Sequence, residues 1–209
     1  MSSEGDLFKK FTLESVAQIA STSLKEQKKV RDALREQFPP LEPFWEDILP
    51  RKQEIIVVRC HDQVHCVTLM SPQPEVLFFN HHDGLYLPHL RLLHKYPFML
   101  PHFQVDIGGC KHVVAGANVM CQGLTSPGGL IPVPPQGQKM FPVGTPVAVC
   151  IEGKKHAVAT GFLTMSTLEI TSKNKGPCID NVHHLGDGLW MNYILSASTI
   201  GTGAKKEQQ

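Results

Sequence analysis

Apolar residues recur at Ile107, Cys110, Val113 and Val114, a three-and-four spacing that predicts a helix with one buried face. Gly116 follows at the place where left-handed backbone geometry closes a helix. Val119 and Cys121 then alternate with Asn118 and Met120 in a short strand pattern that Gly123 is expected to end. Nearer the N-terminus, Ser23 stands three residues before Glu26 as a capping box, opening a helix that runs toward Phe38. Val30, Ala33, Leu34 and Phe38 share one face of it, leaving Lys28, Lys29, Arg31 and Arg35 for water. Pro39 and Pro40 stop that helix, and residues 41–49 form a second short amphipathic segment that offers Phe44, Trp45 and Ile48 for burial before Pro50.

Runs rich in β-branched residues at 54–60, 64–70 and 76–79, separated by polar turns, read as an antiparallel meander. Pro88 is placed to begin a helix over HLRLLHKY, which Pro97 terminates. A domain boundary is expected near Leu100 and Pro101. Beyond it, the proline- and glycine-rich stretch 125–144 cannot be a central strand. Residues 147–151 and 157–165 flank a turn at 152–155 as a hairpin, and 180–185 supplies a last strand. The division is therefore 1–100, 101–193 and a disordered tail at 194–209.

The 209 residues, 42% of them hydrophobic, suffice for one or two domains with a true core. Twenty Lys and Arg against 19 Asp and Glu leave a formal charge of +1, so any nucleic-acid surface must be a local patch. No stretch approaches the roughly 18 apolar residues that cross a bilayer, and MSSEGDLFKK has no signal-peptide apolar core, which points to a cytoplasmic protein without a membrane partner. The six cysteines are scattered through apolar runs, as expected of reduced, mostly buried thiols.

Catalytic constellations are scarce. Cys60-His61 and His65-Cys66 are zinc-ligating residue types, but neighbours on a strand point to opposite faces and diverge unless a tight loop gathers them. His81-His82 and His183-His184 are read the same way, as packing. No GxxxxGK[ST] loop or GxSxG elbow occurs, so nucleotide hydrolysis and ordinary esterase chemistry lack support. The glycine turns around residues 108–129 have two readings: bare backbone that a polymer can approach, or tight turns that let a small barrel close.

The run VDIGGCKHVVAGANVMCQGL resembles the signature of the PUA domain, an RNA-binding fold named after pseudouridine synthases and archaeosine transglycosylases. PVGTPVAVCIEGKKHAVATGFLTMS and NKGPCIDNVHHLGDGLW resemble its later strands. Upstream, QFPPLEPFWEDILPRKQEIIVVRCH and LFFNHHDGLYLPHLRLLHKYPFMLPHFQVD are similar to the malignant T-cell amplified sequence family of translation factors. The resemblance implies an α+β protein, with an N-terminal helix-plus-antiparallel-sheet domain followed by a C-terminal PUA β-barrel. It also implies a non-catalytic RNA-binding factor, without cofactor, that acts on the small ribosomal subunit in re-initiation, initiator-tRNA handling or post-termination recycling. Its partners would be tRNA and a density-regulated protein homologue, with the PUA groove on the tRNA acceptor end.

Carried over from PUA domains, the RNA-binding positions are Gly116, Ala117, Met120 and Gly123. Lys111, Lys154, Lys155, Lys173 and Lys175, with Arg91 and Lys95 on the preceding helix, are candidate phosphate contacts, each of which is otherwise an ordinary solvated residue. An accessory subunit of an RNA-modifying enzyme and a zinc-dependent enzyme or zinc-binding protein remain as alternatives. The sequence departs from the family pattern at Gly109, where alanine is usual, at Gln122, where proline is expected, and in the proline-rich LIPVPPQGQKMF. Ser126-Pro127 has the form of a proline-directed phosphorylation site and equally of a loop turn.

Overall fold

The computed structural model describes residues 7–9, 11–12, 15–19, 22–70 and 73–194. They fall into two compact units, one drawn from Phe11–His89 with Asn192–Gln209 and the other from Met1–Lys10 with Leu90–Met191. The disordered tail expected from residue 194 onward lies, after Ile194, outside the described residues.

The first unit is an antiparallel sheet of five strands in chain order: β1 (Val16–Ile19), β2 (Ile55–Cys60), β3 (Val64–Leu69), β4 (Glu75–His81) and β5 (Leu87–Pro88). The meander is the β2–β3–β4 centre, in register Val58↔Cys66 and Cys66↔Phe79. Helix α1 (Leu24–Gln37) starts at Ser23, whose hydroxyl accepts from the Glu26 amide while Glu26 reaches back to the Ser23 amide. It buries Leu34, and the Phe38 that follows it stacks 5.5 Å from Phe78 of β4. A 3₁₀ turn over Pro39–Phe44 leads into α2 (Trp45–Ile48), whose Trp45 ring approaches the same Phe78 at 6.2 Å. Each such fully buried aromatic is worth about 1.5–3 kcal/mol of transfer free energy.

Two expectations are corrected in this unit. Arg31 is only partly open to water: its guanidinium donates to the carbonyls of Leu49, Pro50 and Gln53, tying α1 to the loop before β2. Apolar spacing alone cannot reveal such a clamp, because the orphan carbonyls lie far along the chain. Pro88 does not open a helix. It pairs with Phe78 in the two-residue edge strand β5, where a missing N–H is tolerated.

The second unit begins with α3 (Leu90–Lys95) and β6 (His102–Val105). After α4 (Cys110–Val114), β7 (Val119–Met120) and α5 (Cys121–Thr125), the chain forms β8 (Pro146–Ile151) and β9 (Ala159–Leu163). Last come α6 (Thr167–Lys173), β10 (Pro177–His184) and α7 (Gly188–Met191). The sheet order is β6-β8-β9-β10-β7, with β6 and β8 parallel and the other neighbours antiparallel. The long path from β6 to β8 permits the parallel pairing, since parallel strands need a crossover of a dozen residues or more. Phe103, Val105, Val147, Val149, Ile151, Leu163 and Ile179 fill the core of the curled sheet together with Val113, Val119 and Leu124 from the crossover. The hairpin expected around the 152–155 turn is present as β8–β9.

Strand β10 carries the polar framework of this unit. Asn181 and His183 are fully buried, and a register shift between them interrupts the pairing with β9. His183 Nδ1 lies 2.7 Å from Asp187, while its Nε2 accepts the Leu90 amide at the head of α3 at 3.3 Å. An accepting Nε2 places the ring proton on Nδ1, toward the carboxylate. Asp187 also takes the amides of His184 at 2.9 Å and Trp190 at 2.7 Å, so one carboxylate fixes both the imidazole and the first turn of α7. The N-terminal segment joins here: the Phe8 carbonyl accepts from Gly188, and the Phe8 ring stands edge-on to His183 at 6.0 Å.

Candidate nucleic-acid interface

The turn after β6 is set by Asp106. Its carboxylate accepts the Gly109 amide at 3.1 Å and the Ser126 hydroxyl at 2.8 Å, and its own amide donates to the Gly123 carbonyl at 3.0 Å. The Ser126 hydroxyl above all holds this carboxyl below the ordinary 3.8 against the opposing effect of burial, and the Gly109 and Gly108 amides add to it. The 3₁₀ turn Ile107–Gly109 and then α4 start from this cap.

That start corrects the helical-face reading. Val113 is buried, but Ile107 is 58% exposed and Val114 is also exposed, because a 3₁₀ turn precedes α4 and changes the angular spacing. Gly123 is corrected too. It lies inside α5 and does not end a strand, since only Val119 and Met120 are extended before the chain coils again. Its missing Cβ matters for closeness: one there would sit 3.1 Å from Val105 Cγ1, and one on Gly109 would collide with the same methyl. The two glycines let α4 and α5 settle directly onto β6.

Gly116 has φ +88° and returns the chain from α4, with the Gly116 amide on the Val113 carbonyl and the Ala117 amide on the His112 carbonyl, both at 3.0 Å. Asn181 locks this loop from β10. Its side-chain amide donates to the Val113 carbonyl at 2.9 Å and the Ala117 carbonyl at 3.1 Å, and its backbone amide donates to Asn118 Oδ1 at 3.1 Å.

Between these elements lies a groove of about 850 Å³. Val105, Val113 and Val119 contribute to its lining, together with backbone and small side chains of Gly108, Gly109 and Ala115–Asn118, and with Asp106, His112, Lys9 and Pro177. Met120, 49% exposed, also lines it. Gly116, Ala117, Met120 and Gly123 are thus brought together. The five lysines are not among its lining residues. Lys111 is exposed on α4, Lys154 and Lys155 are exposed on the β8–β9 turn, and Lys175 is exposed just before β10. Lys173 pairs with Glu169 at 2.8 Å, the main reason that carboxyl falls to about 2, alongside its bonds to Ser166.

Lys9 is the one lysine or arginine among the lining residues, and it comes from nearly a hundred positions before the groove. Sequence offers no signal for it, nor for Asn181, because both act through long-range proximity. The Ser166–Glu169 capping box of α6 did have a local signal, the same S-x-x-E spacing that marks α1.

Of the zinc-type residues only the Cys60 and Cys66 thiols meet, through a side-chain hydrogen bond, and the two histidines do not join them. Cys60 and Cys66 are buried, His61 is exposed, and His65 faces Asp83 at 3.3 Å. Among the described residues no group of three or more His, Cys, Asp or Glu side chains could hold a metal ion. All six cysteines are free thiols, five of them buried.

A family described as "Pre-PUA-like domain" matches residues 8–97, and one described as "elF2D, PUA domain" matches residues 100–188. Human malignant T-cell-amplified sequence 2 is 46% identical over 187 residues, which cover 88% of this chain and 97% of that protein. The chain belongs to the malignant T-cell-amplified sequence family. Family membership extends to a Dictyostelium discoideum homologue of malignant T-cell-amplified sequence 1, 43% identical over 89% of this chain and 98% of its own length. The fold of this family member is also that of a hypothetical protein from Pyrococcus horikoshii, with TM-score 0.62 and 23% identity over 84% of this chain and 99% of that one. A conserved PUA-domain protein from Thermoplasma acidophilum shares it with TM-score 0.54 and 18% identity, over 84% and 98% of the two chains. Among the described residues no helix is long and apolar enough to cross a membrane.

Proposed function

We propose that this family member is a non-catalytic, cytoplasmic RNA-binding translation factor that acts on the small ribosomal subunit in re-initiation, initiator-tRNA handling or post-termination recycling. In this reading the groove takes the acceptor end of tRNA, the unit built on β1–β5 addresses the ribosome, and a density-regulated protein homologue is the working partner. The observation that carries it is the groove itself: Gly116, Ala117, Met120 and Gly123 line one cavity in a PUA domain. Its volume of about 850 Å³ suits a short unpaired segment, and its walls of exposed backbone and small side chains suit unstacked bases read along their edges. Binding of this kind needs no reacting group.

The test is sedimentation of ribosomal profiles with and without the partner, paired with tRNA-binding isotherms. Wild type is expected in the small-subunit fractions. Gly116→Trp and the exposed Met120→Glu are expected to remain with the subunit while weakening acceptor-end binding by roughly tenfold, the scale of one lost base contact. The second variant covers the case in which the first, at positive φ, does not fold. Failure of folded wild type plus partner to engage either subunits or tRNA overturns the proposal, and copurification with an RNA-modifying enzyme instead would redirect it.

A further inference from the structure

We infer that α3 and the β8–β9 turn form a second RNA-binding face, separate from the groove and directed at the phosphate backbone of folded RNA. The inference rests on the RNA-binding reading above but concerns residues that the groove does not use.

Arg91 and Lys95 stand one helical turn apart on α3 and are its exposed residues, whereas Leu90, Leu92 and Leu93 are buried. The β8–β9 turn meets this helix through two imidazoles: His94 and His156 lie 5.0 Å apart. His94 Nε2 is also 2.7 Å from the Ala157 carbonyl, which can only accept, so that nitrogen carries the proton and ties helix to turn. Lys154 and Lys155 immediately precede His156 and are exposed with it. Arg91 lies 4.4 Å above the Trp190 ring, a stacked position that holds the guanidinium plane in place.

Four formal cations therefore stand on two joined elements in a chain whose net charge is +1. The acid within the same stretch, Glu152, accepts the Ile107 amide at 3.2 Å on the side of the Asp106 turn. The exposed side chains of α3 and of the turn are Arg, Lys and His, with their apolar neighbours facing inward. Protein-docking patches deplete charge at their centre, whereas nucleic-acid surfaces are polar and strongly positive, so the composition selects RNA over a protein partner. Cations without base-reading donors on a groove give phosphate contact without sequence selection.

The experiment uses the full chain and an RNA hairpin with a closed stem and no unpaired 3′ end, over salt from about 50 to 200 mM. The triple variant Lys95→Gln, Lys154→Gln, Lys155→Gln changes exposed residues only and is expected to keep the wild-type melting temperature. It should bind the hairpin at least about tenfold more weakly and lower the salt slope by about two to three. Acceptor-end binding by the groove should stay within about twofold. The corresponding triple arginine variant should retain both hairpin affinity and slope. An unchanged hairpin isotherm and slope in the glutamine variant overturns the inference and leaves the groove reading standing. So does a loss confined to a polyglutamate probe, which would make the face a protein contact. Wild type that binds neither hairpin nor tRNA overturns both.

Discussion

The groove and the basic face solve recognition in opposite ways. The groove is made by removing side chains: glycines at 109 and 123 bring α4 and α5 against Val105, and Gly116 turns the chain so that backbone lines the cavity. The face is made by projecting side chains from a helix and a turn whose apolar residues are buried. The difference teaches that shape in this molecule is specified by what is absent and charge by what is added. Both nonetheless hang on β10, through Asn181 for the groove and His183 with Asp187 for the face.

The largest effect should come from Asp187→Ala. It strips a fully buried imidazole N–H and two amides of their acceptor, and a loss of about 1–3 kcal/mol for each donor left buried and unsatisfied is expected in denaturant unfolding. If α3 and α7 depend on this carboxylate as described, amide exchange at Leu90 and Trp190 will accelerate before that at Gly116. Equal acceleration everywhere would erase the distinction between the two supports.

Asn181→Leu should act next and in the opposite place. It leaves the Val113 and Ala117 carbonyls without their side-chain donor, at about 1–3 kcal/mol each where burial is complete. Acceptor-end binding is expected to fall while hairpin binding by α3 and the turn persists. Comparable loss of both would show the two surfaces to be one cooperative unit.

Much of this division was legible in the sequence, but unevenly. The capping box at Ser23, the meander, the β8–β9 hairpin and the turn at Gly116 are local matters of spacing, and each appears where its residues predict it. The grouping of Ala117 and Met120 with Gly116 followed from family resemblance, and periodicity had no part in it. Local reasoning failed where a distant partner decides conformation. Asp106 imposes a 3₁₀ turn that rotates Ile107 outward, and Arg31 finds three carbonyls far down the chain. Asn181 looks like any strand asparagine until α4 is folded against it.

Asp106→Ala tests the groove's electrostatic side at a smaller scale, about 1 kcal/mol for a lost helix-type cap at neutral pH. Because the folded carboxyl is held below 3.8, its contribution is present above that value and lost as pH falls through the lower folded one. The variant's acid unfolding limb should therefore be shallower than the wild type's below pH 3.8, read by far-UV circular dichroism. Ser23→Ala in the other unit should match the stability loss of Asp106→Ala without touching either RNA surface. It should cost about 1 kcal/mol of cap stability and leave both RNA isotherms unchanged, a control for destabilisation as such.

Lys9 and Phe8 carry a practical consequence for anyone dissecting this chain. The cut suggested by the domain order, just before the PUA match at residue 100, would discard the aromatic that stands against His183 and the lysine that lines the groove. It would also remove α3, and with it Arg91 and Lys95. A fragment made that way would keep the PUA signature and lose parts of both surfaces, so its silence in a binding assay would say nothing about the intact protein. The working piece is discontinuous in sequence, with its first residues supplied from beyond the whole of the other unit.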